Sequence, residues 1–144
     1  MTVFFDMDGT IANLYNVDNW LAKLRASDAT PYRDAQPMVS FSALARVLNR
    51  LTRKGVKVEV ISWLAKSGNN EYNERVAQVK REWLAKHLPS VKFNAINIVK
   101  YGTPKQMFCT GTDDILFDDE IDNRTNWTGI AYDEKNILEN LKKI

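Results

Sequence analysis

The chain has 144 residues, a net charge of +2, 44% hydrophobic and 26% charged side chains. That is enough for a single domain spanning 1–144 with its own core, and it excludes a disordered or low-complexity chain. The near-neutral balance makes no electrostatic case for nucleic acid. One cysteine, Cys109, excludes an intrachain disulfide framework, and one histidine, His87, excludes His-based triads and His-rich metal sites.

In chain order, residues 3–6 form a short apolar strand. The strand runs into a turn, and residues 3–10 read VFFDMDGT. Side chains alternate along a strand, but the alternation lapses where the strand ends, so Asp6 and Asp8 can converge above a sheet. Gly9 allows the tight turn this requires. Two such carboxylates suit Mg2+, a hard cation that takes one or two carboxylates plus phosphate oxygens. The alternative is a plain acidic turn after an edge strand, signalled by Asp8-Gly9.

Residues 13–40 interrupt the pattern before the next core element. Val17, Trp20, Leu21 and Leu24 fall on one helix face, with Asp18 as a candidate cap. Pro31 and Pro37 bracket a loop, ATPYRDAQPM. Residues 41–54 carry Leu44, Val47, Leu48 and Leu51 at helical spacing, and Gly55 ends the helix. Residues 56–62 form strand two, and residues 70–87 a long amphipathic helix with Val76, Val79, Trp83 and Leu84, stopped by Pro89. Residues 91–99 form strand three, and Thr103-Pro104 opens a short helix. Residues 114–118 form strand four, residues 129–132 a short strand five, and Asp133 caps a last helix running through Leu141. Strand four ends in paired acids, Asp118 and Asp119, which would be costly to bury without a cation. Strands alternating with helices imply an α/β fold, a doubly wound parallel sheet in a three-layer α/β/α sandwich.

Four segments, in this order, resemble the motifs of haloacid dehalogenase (HAD) superfamily phosphohydrolases. DMDGT (6–10) matches the Asp-x-Asp-x-Thr that follows the family's first strand. VKVEVIS ends at Ser62, as the second motif ends in Ser or Thr; Lys105 in YGTPKQMF stands where the family places a lysine near a helix start; ILFDDEID supplies the paired acids Asp118 and Asp119. Lys100 competes with Lys105 for the lysine. A further acid past the pair is a family habit, with Asp122 and Glu120 as candidates.

The resemblance implies a Rossmann-like HAD fold with sheet order 3-2-1-4-5, in which strands one and four lie side by side and ligands bind at their carboxyl ends. It implies an aspartyl-phosphate formed on Asp6, with Asp8 as acid and base, Ser62 bonding a phosphate oxygen and Lys105 neutralising charge. Mg2+ is then held by Asp6, the carbonyl of Asp8 and Asp118, with Asp119 supporting its water shell or Lys105. Asp8 favours an oxygen leaving group, since dehalogenases lack that acid and ion-pumping ATPases have Lys there. The expected function is a Mg2+-dependent phosphomonoester hydrolase. A catalytically silent HAD-like binding module and a phosphotransferase or phosphomutase are the alternatives.

The family usually selects substrates with an inserted cap. Residues 13–40 leave room only for a minimal cap, loosely similar to the reduced caps of the deoxyribonucleotidase branch. Trp20, Tyr32, Arg33 and Trp63 are candidates to stack on a base or hold a phosphate. The expected partner is a phosphorylated small molecule such as a nucleotide, or a phosphate at a nucleic-acid or protein end. No apolar stretch approaches the ~20 residues that cross a bilayer. The opening MTVFFDMD lacks a basic n-region or cleavage site, so a cytoplasmic location is expected.

Overall fold

The computed structural model describes residues 1–144. Five parallel strands form one sheet in the order β3-β2-β1-β4-β5: β1 (Thr2–Phe5), β2 (Lys57–Trp63), β3 (Ala95–Val99), β4 (Ile115–Phe117) and β5 (Ile130–Tyr132). This is the α/β fold and strand order expected from the sequence. Six helices accompany the sheet: α1 (Trp20–Arg25), α2 (Thr30–Asp34), α3 (Phe41–Arg53), α4 (Asn70–His87), α5 (Ile121–Asn126) and α6 (Ile137–Lys142). No helix is long and apolar enough to cross a membrane.

Strand parity sorts the core into two faces. Val3, Phe5, Val58, Val60, Ile115 and Phe117 share one cluster with Leu44, Val47, Leu48 and Leu51 of α3, Trp83 and Leu84 of α4, and Ile137 and Leu141 of α6. Phe4, Ile61 and Leu116 point the other way, onto Trp127, Phe108 and Cys109. The second layer is thin, built from α5 and a 3-10 turn at Lys105–Phe108. The two long helices are capped by side chains: Ser40 Oγ accepts from the Ala43 N–H, and Asn69 Oδ1 from the Tyr72 N–H at 2.8 Å.

Several local expectations are corrected. The segment around Pro31 is helical, because a proline in the first turn forfeits only an N–H with no helical partner. Asp18 caps nothing; α1 begins after Asn19, which is left-handed and makes no side-chain cap. Asp133 does not cap α6; its carboxylate accepts from the Lys135 N–H at 2.9 Å, closing a turn, and Asn136 precedes the helix. β3 starts at Ala95 rather than residue 91, since the chain after Pro89 bends before it can pair.

Residues 13–40 fold as a 3-10 turn (Leu14–Asn16), α1 and α2. They pack on α4 through a separate cluster of Leu14, Ala29, Tyr32, Tyr72 and Val76. This places the insertion beside the carboxyl ends of the strands.

Candidate active site

β1 pairs with β4 so that Phe5 lies opposite Phe117. The next residue on each strand is therefore Asp6 and Asp118, held level by the Asp6 N–H bonding the Phe117 carbonyl at 2.9 Å. Parity sends both carboxylates to the thin face, where the 3-10 turn delivers Lys105. Lys105 Nζ donates to Asp6 Oδ1 at 2.8 Å and to Asp118 Oδ2 at 2.7 Å. The Lys105 and Asp118 side chains are 2% and 0% exposed, so the bridge is desolvated. Lys100, the competing lysine, is exposed.

Thr10 ties the two acidic turns together. Its hydroxyl donates to Asp6 Oδ2 at 2.9 Å and accepts from the Asp119 N–H at 3.1 Å. Asp118 Oδ1 accepts from the Glu120 N–H at 2.9 Å. Asn123 Nδ2 donates to Asp118 Oδ2 at 3.1 Å, and Arg124 clasps the carbonyls of Asp118 and Asp119. Asn123 thus contacts Asp118 where a further acid was expected, while Asp122 and Glu120 are exposed. Gly9 has φ +80°, and a Cβ there would collide with Asp119 Oδ2 and Tyr15.

Ser62 faces the other way. β2 runs one residue past it, so Ser62 shares the face of Val58 and Val60, towards α4. It is fully buried and accepts a 2.7 Å hydrogen bond from Lys80 Nζ. Lys80 also donates to Asp8 Oδ2 at 2.8 Å and to the Trp63 carbonyl at 2.7 Å. Lys80 was not anticipated. The signal was present: Val76, Lys80, Trp83 and Leu84 lie at helical spacing, so a lysine interrupts the buried stripe of α4.

The site opens onto a cavity of about 270 Å3, from which Asp118 is buried. Asp6, Asp8, Asp119 and Lys105 line it, and its walls carry Tyr15, Trp20, Tyr32, Trp63 and Tyr101. Tyr15 meets Trp20 edge-on at 4.9 Å, and Trp63 lies 5.0 Å from Tyr101. Of the four residues singled out for substrate contact, Arg33 is outside, exposed and paired with Asp34. Ser62 and Lys80 lie behind the cavity wall.

Four carboxylates, Asp6, Asp8, Asp118 and Asp119, face two ammonium groups, Lys80 and Lys105. With all four ionised, the excess of two negative charges is what one divalent cation would neutralise. Oxygens of Asp6, Asp118 and Asp119 lie within 4.8 Å of one another, and the Asp8 carbonyl accepts no hydrogen bond from the protein. The donor set is all oxygen, as Mg2+ requires. The electrostatics register the crowding. Burial, then the Asp6 charge, lifts Asp118 to about 6 and Asp119 to about 8. Burial also raises Asp8, against the pull of Lys80. Burial opposes the charge on Lys105, but Asp6 and Asp118 together outweigh it and raise its pKa.

No protein-family model and no curated protein matches the chain. Among solved structures it is similar to D,D-heptose 1,7-bisphosphate phosphatase from Burkholderia thailandensis, with 14% identity and a TM-score of 0.51 over 86% of this chain and 69% of that one. At that identity the likeness is one of fold alone, that of a five-stranded parallel α/β sheet in the order β3-β2-β1-β4-β5.

Proposed function

We propose that the protein is a Mg2+-dependent phosphomonoester hydrolase that works through an aspartyl-phosphate on Asp6. The observation that carries this reading is the convergence of Asp6, Asp8, Lys105 and Asp118 at the carboxyl ends of β1 and β4, beside a cavity that Asp6, Asp8 and Lys105 line. The fold it shares with a phosphatase agrees with it.

Asp6, Asp118 and the Asp8 carbonyl would hold the metal, with Asp119 beside it. When bound, Mg2+ offsets the charge of a phosphate brought against an anionic nucleophile. The Asp6 carboxylate attacks phosphorus, and the bond from phosphorus to the ester oxygen breaks. Asp8, whose carboxyl burial keeps protonated more readily than usual, gives its proton to the departing oxygen. It then takes a proton from the water that attacks phosphorus, and the carboxylate of Asp6 is released. Lys105 holds Asp6 in place and offsets its charge.

Residues 13–40 act as a minimal cap in this reading. The cavity is near the lower end of the range for small-ligand sites, about 300–1,000 Å3, and its aromatic walls suit a planar, weakly polar leaving part. A phosphorylated small molecule with a base, a nucleoside monophosphate, fits this better than a macromolecular end. The test is phosphate release with Mg2+ from nucleoside monophosphates, sugar phosphates and 3'-phosphorylated DNA ends. Turnover that needs Mg2+, prefers nucleotides and disappears in Asp6→Asn supports the proposal. Unchanged turnover in Asp6→Asn refutes the mechanism, and a preference for DNA ends refutes the substrate class.

A further inference from the structure

Lys80 is 1% exposed and has no surface in the cavity, yet it touches the site from behind. A lysine ammonium has three N–H donors, and here all three are used: on Asp8 Oδ2, Ser62 Oγ and the Trp63 carbonyl. The Tyr32 ring centroid lies 4.9 Å from Nζ. Lys80 therefore has no donor left for a substrate atom. Stability alone is a weak reason for such a group, because well-packed apolar residues usually serve as well as a buried ion pair.

Asp8 is held on one side only. Its Oδ2 is bound by Lys80, whereas Oδ1 has no hydrogen-bond partner in the protein and is not buried. Its side chain is 20% exposed and lines the cavity. Lys80 thus fixes which oxygen of Asp8 meets a bound substrate. Ser62 and the Trp63 carbonyl, both on β2, fix Lys80 in turn.

We propose that Lys80 is a positioning residue that presents Asp8 Oδ1 to the leaving oxygen, with Ser62 acting through Lys80. The inference rests on the acid–base reading of Asp8. A positioning role has a signature that loss of structure lacks. If Lys80 serves the acid, its loss must hurt esters with basic leaving groups and spare those that depart without a proton. The quantity to compare is kcat/KM, which reports phosphorylation of Asp6 even where later hydrolysis limits kcat.

The experiment measures kcat/KM at saturating Mg2+ on an alkyl phosphate and on nitrophenyl phosphate. The variants are Lys80→Met, Asp8→Asn and the double variant. Lys80→Met is expected to lower the alkyl value roughly 10–100-fold, the usual range for outer partners in a site, and the nitrophenyl value by less than about 3-fold. The double variant is expected to match Asp8→Asn, because residues acting as one unit are not additive. Equal losses on both esters, or multiplied losses in the double variant, overturn the proposal. If Asp8→Asn shows the leaving-group dependence and Lys80→Met does not, only the Lys80 inference falls. If Asp8→Asn shows none, the acid–base reading falls and takes this inference with it.

Should Lys80→Met fail to fold, Ser62→Ala removes one of the three bonds without stranding a charge. It is expected to give the same leaving-group pattern at smaller size, about 3–10-fold on the alkyl ester. An equal loss on both esters, with a raised KM, would mean that Ser62 holds the phosphate directly and would overturn the relay.

Discussion

Lys105 Nζ lies 2.8 Å from Asp6 Oδ1, although 99 residues separate the two in sequence. The pairing of Phe5 with Phe117 makes the contact possible, since it sets Asp6 and Asp118 level and on the same side of the sheet as the 3-10 turn. The same ammonium bonds Asp118 at 2.7 Å.

Removing that ammonium leaves two acids buried without their partner. Lys105→Met is expected to destabilise the fold by about 3–5 kcal/mol, the usual cost of breaking a buried pair from one side. It should also abolish turnover. Lys100→Met removes an exposed charge and should change stability by less than about 0.5 kcal/mol, with activity kept. Urea unfolding and phosphate release on the two variants check this.

The raised acids make the metal-free protein sensitive to alkali. Unfolded Asp titrates near 3.9, whereas folded Asp118 and Asp119 stand at about 6 and about 8. Between those values the folded state binds more protons than the unfolded one, so stability falls as pH rises. The contribution is complete below about pH 4 and is lost as pH passes about 6 and then about 8. Mg2+ binds the ionised carboxylates, so its stabilising effect should grow over the same interval. Thermal unfolding from pH 5 to 8.5, with chelator and with Mg2+, should show two curves that diverge as pH rises. Parallel curves would contradict the metal assignment.

Gly9 is left-handed at φ +80°, and its missing Cβ leaves room for Asp119 and Tyr15. Gly9→Ala is expected to cost about 1–3 kcal/mol through backbone strain and to displace Asp119. Turnover should fall tenfold or more, with Mg2+ affinity weakened alongside. Calorimetric titration of Mg2+ and a steady-state assay test both effects.

The parts of the site legible in the sequence were those that announce themselves by local pattern. DMDGT and ILFDD each join an apolar strand to acids, and the strand order implied by the family resemblance, 3-2-1-4-5, brings the two together, as the sheet does. The resemblance favours Lys105 over Lys100 by its place near a helix start, and the fold supplies the reason, since the docked 3-10 turn buries Lys105 and leaves Lys100 exposed. Ser62 was located but not oriented: β2 continues through Trp63, and parity turns the hydroxyl towards α4. Lys80 is not legible as a site residue because a lysine on a helix is ordinarily solvated, although its neighbours Val76, Trp83 and Leu84 are buried. Asn123 carries no charge to mark it in the sequence, and only the fold brings its amide to Asp118. The helix at Thr30–Asp34 is hard to read from sequence because Pro31 signals a break and a helix's first turn equally well.

The covalent role of Asp6 is the centre of the account, and Asp8→Asn exposes it. Nitrophenolate leaves without a proton, so this variant can still phosphorylate Asp6 from nitrophenyl phosphate. The water step then lacks its base and should slow by roughly 10²–10⁴-fold. Rapid-quench mass spectrometry of Asp8→Asn mixed with Mg2+ and nitrophenyl phosphate is the direct test. The account predicts a burst of nitrophenol and the added phosphoryl mass on the peptide containing Asp6. Steady nitrophenol release with no burst and no phosphorylated Asp6 would contradict it.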